Sequence, residues 1–254
     1  MNMRRRAVAI VGLSFAWAVS ADAQRTILAI GAHAGDVELT SGALLAKQHL
    51  LGDRVVILHL TLGEGGNPRI PPDRYAEQKR GEALAAAKVL GAEVLFGPYR
   101  DGELPDDDAA RRYVADVIRS VKPTFVITHW RESMHKDHAA TSRIVTDAVL
   151  LASLEGVRTD HAAYRGVRGV WYAENWEDAP GFQPYISVDV TTAIEIWRQA
   201  VRKYEFVRGG VSDFRYLDYY DALSIMRGAL ARKGRAEAFD IDASGKRRIL
   251  DSLP

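Results

Sequence analysis

The sequence predicts a single α/β domain: a three-layer α/β/α sandwich with a mainly parallel sheet. Three observations predict it. From Thr26 onward, β-rich runs alternate with helical segments of about 12–16 residues, the signature of βαβ units. The leading runs, Ile27 to Ile30 and Arg54 to Leu62, are almost wholly apolar instead of alternating, as strands covered on both faces must be. No linker, repeat or low-complexity stretch interrupts the pattern, and 254 residues at 47% apolar are enough for one core.

The elements follow in order. Ile27 to Ile30 is a strand, and Val37 to Leu50 a helix closed by Gly52. Arg54 to Leu62 is a second strand, and Gly63 to Arg74 a loop rich in Gly and Pro. Tyr75 to Leu90 is a helix stopped by Gly91, Glu93 to Phe96 a third strand, and Asp106 to Val121 a helix stopped by Pro123. Phe125 to Thr128 is a fourth strand, and Asp137 to Leu151 a helix. Beyond Leu154 the pattern loosens: Gly169 to Tyr172 and Tyr185 to Val188 read as added strands and Thr191 to Phe206 as one long helix. The tail after Ser212 carries no clear period.

The N-terminus differs from the rest. Three arginines within Met1 to Arg6, an apolar run from Ala7 to Val19 and small residues in Ser20-Ala-Asp-Ala23 predict a secretory signal peptide over 1–23. The apolar run is shorter than the roughly 18 residues that span a bilayer, so export without stable membrane insertion is the expectation. The remaining domain covers 24–254, with a core over 26–210 and a C-terminal extension over 211–254. Cleavage removes three arginines and one aspartate, which changes the formal charge from +1 to −1. Such a balance excludes the long-range field by which nucleic acid is gathered. The chain has no cysteine, hence neither disulfides nor a thiolate metal site. Assembly into a homo-oligomer is left open.

Two short clusters carry chemistry. His33-Ala-Gly-Asp36 follows the first strand, and His135-Lys-Asp-His138 follows the fourth. In an open parallel sheet the carboxyl ends of different strands share one crevice, so clusters about a hundred residues apart can meet there. A catalytic zinc takes three protein nitrogen or oxygen ligands and keeps a fourth position for water. His33, Asp36 and His138 supply such a set and predict one Zn²⁺ per chain.

At these residues a resemblance becomes specific. Ile30-Gly-Ala-His-Ala-Gly-Asp-Val-Glu-Leu39 resembles the A-H-P-D-D-E motif of the PIG-L/LmbE-like zinc N-deacetylases, and His135-Lys-Asp-His138 resembles their H-P-D-H. Thr61-Leu-Gly-Glu-Gly65 is similar to the family's T-x-G-E-G loop. Arg80-Gly-Glu82 with Leu90-Gly91 resembles its arginine–glutamate helix, and Asp101-Gly102 its aspartate loop. The likeness covers roughly 26–150 and is thin beyond.

The resemblance implies a Rossmann-like sandwich and a zinc-dependent hydrolase, which the signal peptide would export. Its substrate would be a small acylated amine, chiefly an N-acetylated amino sugar or its conjugate. It implies His33, Asp36 and His138 as metal ligands and His135 as an imidazolium that stabilises the oxyanion or protonates the leaving amine. Asp137 would orient His135 and raise its pKa. Glu64, Arg80 and Asp101 are implied as substrate contacts.

One departure stands out. The family's water-activating aspartate falls on Gly35. One explanation is that another group serves as base, with His135, Glu38 and Glu64 as candidates. Alternatively the metal-activated water suffices alone, or the chain is a catalytically degenerate metal- and ligand-binding protein. Of the other histidines, His59 reads as a core residue, His129 as a neighbour of the site, and His49 and His161 as surface residues. Trp197 and Tyr204 read as packing residues, and the Trp171 to Trp176 stretch as a strand end that could face a sugar ring.

Overall fold

The computed structural model describes residues 24–177 and 180–247. The expected signal peptide therefore lies outside the described residues. The strands are β1 (Thr26–Gly31), β2 (Arg54–His59), β3 (Glu93–Phe96), β4 (Phe125–His129), β5 (Gly169–Ala173), β6 (Ile186–Asp189) and β7 (Ala236–Ile241). The helices are α1 (Asp36–Leu50), α2 (Pro72–Leu90), α3 (Asp108–Val121), α4 (Lys136–Ser153), α5 (Ile194–Val201) and α6 (Tyr216–Leu230). They form one seven-stranded sheet in the order β3-β2-β1-β4-β5-β7-β6. Strands β1 to β5 pair in parallel, and β7 runs antiparallel between β5 and β6.

Period-two alternation divides β1 between two cores. Ile27 and Ala29 face the layer holding α1, α2, α5 and α6 and pack with Leu44, Leu45, Ala86, Leu90 and Trp197. Leu28 and Ile30 face the α3–α4 layer and pack with Ile118, Val114, Ile144 and Val145. Burial on both faces explains the near-continuous apolar runs and confirms the three-layer fold. Gly91, at φ 73°, ends α2 in the left-handed conformation that glycine adopts without strain.

The structure corrects three expectations. The long helix expected over Thr191 to Phe206 is α5, which ends at Val201, followed by a 3₁₀ turn at Phe206–Arg208. The loop expected over Gly63 to Arg74 contains a 3₁₀ turn at Glu64–Gly66, and α2 begins at Pro72, the position where a missing N–H costs nothing. The unread tail supplies α6 and β7, and β7 is an interior strand. It docks on α1 through Glu237, whose carboxylate accepts the backbone N–H groups of Ala43 at 3.0 Å and Leu44 at 2.8 Å. Among the described residues no helix is long and apolar enough to cross a membrane.

Candidate metal centre and pocket

The order β2-β1-β4 places the ends of β1 and β4 side by side, so the turn after β1 and the start of α4 meet at the carboxyl edge of the sheet. Gly35, at φ 110°, turns the chain into α1, and the Asp36 carboxylate accepts the His33 N–H at 2.7 Å. The other cluster is fixed by a helix cap: His135 precedes α4, and its Nδ1 accepts the Asp137 N–H at 3.3 Å.

Three donor atoms converge. His33 Nδ1 lies 3.2 Å from Asp36 Oδ2 and 3.2 Å from His138 Nε2, and His138 Nε2 lies 3.4 Å from Asp36 Oδ2. A tetrahedral zinc bound at about 2.0–2.2 Å spaces its donors about 3.4 Å apart, so the three atoms fit that ion. The charges fit as well. Asp36, Asp101, Asp137 and Glu177 surround His33 and His138 within 3.5 Å. Burial opposes a proton on either imidazole, yet the carboxylates outweigh it: His33 is raised well above its ordinary pKa and His138 to about 8. The cluster calls for positive charge at its centre.

Carboxylates also hold the imidazoles in place. His33 Nε2 faces Asp101 Oδ1 at 3.1 Å and Asp137 Oδ2 at 3.5 Å. His138 Nδ1 faces Glu177 Oε1 at 3.3 Å. Such partners fix the ring and leave the opposite nitrogen free to ligate. Glu177 also accepts from Ser133 and from the Met134 N–H, tying the loop before α4 to the end of β5. Sequence reasoning missed Glu177, although a carboxylate just past a strand end in Trp171 to Glu177 was a signal.

Several expected roles change. Asp137 does not hold the His135 ring: its carboxylate accepts the Gly102 N–H at 2.7 Å and faces His33 instead. His135 is consequently not kept as an imidazolium. Burial, then the neighbouring His33 and His138, push its pKa below the ordinary value. Glu64 turns away from the centre to accept the Asp101 N–H at 3.1 Å, positioning the aspartate that braces His33. Arg80 is exposed on the far side of α2, its guanidinium 4.1 Å from the centre of the Phe96 ring, and does not reach the pocket. Lys79, one residue earlier, does.

Glu38 is fully buried, 3.2 Å from His59 Nε2 and 2.6 Å from the Tyr204 hydroxyl that donates to it. That triad is internal, so Glu38 is held in the core and His59 is its partner. His129 stacks on His138 at 4.1 Å between ring centres and accepts the Ala32 N–H through Nε2 at 2.9 Å. Burial and the nearby His138 depress it to about 4, so it is a neutral neighbour of the site.

Above the donors lies a cavity of about 230 Å³, walled by Trp176, Phe206, Tyr216, Tyr220, Met134 and His135. Trp176 faces the pocket, whereas Trp171 packs on Phe125 and Phe239 in the core. Phe206 stands where the family's aspartate side chain would project: a Cβ built on Gly35 comes within 2.8 Å of Phe206 Cζ.

The chain is thus a Rossmann-like α/β protein with a His/Asp group that could hold a metal, set in a half-aromatic pocket at the carboxyl edge of its sheet. The sequence model of the PIG-L family, described as GlcNAc-PI de-N-acetylase, matches residues 28–149, so the chain carries a PIG-L family domain over that stretch. A 4-oxalmesaconate hydratase from Pseudomonas putida KT2440 is 23% identical over 218 residues, covering 83% of this chain and 82% of that protein. A 1D-myo-inositol 2-acetamido-2-deoxy-alpha-D-glucopyranoside deacetylase from Acidothermus cellulolyticus is 28% identical over 214 residues, covering 67% of this chain and 73% of the relative. In fold, the N,N'-diacetylchitobiose deacetylase of Pyrococcus horikoshii aligns with a TM-score of 0.76 at 20% identity, over 89% of this chain and 87% of that one.

Proposed function

We propose that this protein is an exported, zinc-dependent amidohydrolase that removes an acyl group, chiefly acetyl, from the amine of a small molecule of the amino-sugar type. The observation that carries the reading is the donor triangle of His33, Asp36 and His138, with sides of 3.2 to 3.4 Å. One zinc ion held there would polarise the amide carbonyl and acidify water.

The chain's own residues do the rest. Asp101 and Asp137 hold His33, and Glu177 holds His138. The Gly35 backbone offers no carboxylate, and Glu38 and Glu64 are engaged elsewhere. His135 is the group left to move protons: half-buried on the pocket wall and neutral near pH 7, it carries its proton on Nε2, donates it to the departing amine, and then takes up at that nitrogen the proton that water gives up. Its Nδ1 is held by the Asp137 N–H, which fixes the tautomer.

The test is release of free amine from N-acetylglucosamine conjugates and an activated anilide by the zinc-loaded protein. No release from any of them, with metal bound, removes the reading. A second reading is favoured by Gly35 together with the hydratase relative: addition of water to a carbon–carbon double bond, which needs no leaving amine. Ultraviolet loss on unsaturated carboxylic acids, without amine release from amides, selects it. Tight binding with neither reaction selects the degenerate binding protein.

A further inference from the structure

The pocket contains a buried cation that the proposed chemistry leaves unused. Lys79, on α2, is 4% exposed. Its ammonium donates to the Ala34 carbonyl and lies 4.3 Å from the centre of the Phe206 ring and 4.8 Å from that of Tyr204. Among the described residues no carboxylate oxygen comes within the 4.0 Å of an ion pair. Asp36, Glu82, Glu38 and Asp101 act on it only from further away.

Lysine is almost never buried without a partner, because desolvating an ammonium is costly. Burial lowers Lys79 to about 8, so it is still charged at neutral pH. Of its three donors one is bonded, and the ring faces add attraction without satisfying a second. Lys79 also lines an open lobe of about 210 Å³ together with His33, Asp36, Asp101, His135 and Tyr216. Five of the walls, including His33, Asp36 and His135, are shared with the cavity above the donor triangle. The departure at Gly35 belongs to the same feature. The position that would project a carboxylate toward this corner projects none, and the ring that closes on it is the one beneath the ammonium.

We infer that Lys79 docks an anionic group of the substrate, a carboxylate in the first instance, so that this chain acts on an acidic small molecule. For an amidohydrolase this is an N-acyl amine bearing a carboxylate, such as an N-acetylated acidic sugar. The inference rests on the pocket being the reaction site, and it holds whichever bond is broken there.

Calorimetric binding on the zinc-loaded protein tests it with matched probes: N-acetylmuramic acid, N-acetylglucosamine 6-phosphate and neutral N-acetylglucosamine, then fumarate against fumaramide. The expected result is that at least one carboxylate binds about ten- to a hundredfold more tightly than its neutral counterpart, the range of a charge-assisted hydrogen bond. Lys79→Met should abolish that preference and Lys79→Arg retain part of it, with folding of both checked by thermal melt and zinc content. Preference for the 6-phosphate alone would identify the anion as a phosphate and overturn the carboxylate assignment. Equal binding of charged and neutral probes, no binding of any anion, or a preference that survives Lys79→Met in folded protein overturns the inference. So does a Lys79→Met variant that loses turnover with its binding preference intact, because Lys79 would then be moving protons. Anion-selective binding without amine release leaves the inference standing and removes the amidohydrolase reading.

Discussion

Gly35→Asp restores the family's residue, and the structure predicts that it harms the protein. Two costs add. Gly35 has φ 110°, a conformation that costs an L-residue about 1–3 kcal/mol. A Cβ there meets Phe206 Cζ at 2.8 Å and Cε1 at 2.9 Å, so the ring must leave its place against Tyr204, Tyr216 and the Lys79 ammonium. Overpacking of this kind costs about 1–3 kcal/mol. Together that is about 2–6 kcal/mol, or a drop in Tm of roughly 5–20 °C for a domain of this size. Differential scanning calorimetry on zinc-loaded wild type, Gly35→Asp, Phe206→Ala and the double variant separates the two. The double variant should exceed the additive expectation by about 1–3 kcal/mol, the part due to the clash, while the backbone part persists. A single variant that melts within about 2 °C of wild type would show that Phe206 yields freely and refute the packing argument. Greatly increased amine release by such a variant would mean that the site still works by the family's base.

The remaining predictions concern the metal, the proton carrier and pH. Metal analysis should find one equivalent of zinc in wild type; His33→Ala and His138→Ala should each lose most of it, whereas Arg80→Ala should retain it. His135→Ala should keep its zinc and lose about 10²- to 10⁴-fold in turnover, as expected for removal of a general acid–base group; full activity or lost zinc would show a different role. Metal-free protein should become less stable as pH rises from 6.5 to about 8. His138 is held protonated in the fold, so its contribution is complete below 6.5 and lost through the folded value of about 8. The size is about 2 kcal/mol, read as a falling Tm. Zinc should reverse that slope, because the ion takes the place of the proton and binds more tightly as the imidazoles deprotonate.

The sequence by itself determined the first half of the molecule. From β1 to α4, helix period, apolar runs and the stops at Gly91 and Pro123 are local signals, and the structure follows them to within a few residues. It also determined which side chains would meet: His33, Asp36 and His138 follow the ends of β1 and β4, and parallel strands deliver their carboxyl ends to one edge. Only the tertiary structure decided the rest, for stated reasons. β7 was illegible because its partners, β5 and β6, precede it in the chain and claim it through an antiparallel insertion that no local period announces. The partner of an imidazole is a matter of distance in space, so Asp137 braces His33 and not its chain neighbour His135, and Glu177 arrives from beyond β5 to hold His138. The likeness to the family's arginine–glutamate helix made Arg80 the expected site residue. The packing of α2 against Ala34, Tyr204 and Phe206 instead turned Lys79 inward and left Arg80 on Phe96. Glu38, in the same motif as Gly35, looked like an available base until burial beside His59 and Tyr204 enclosed it in the core.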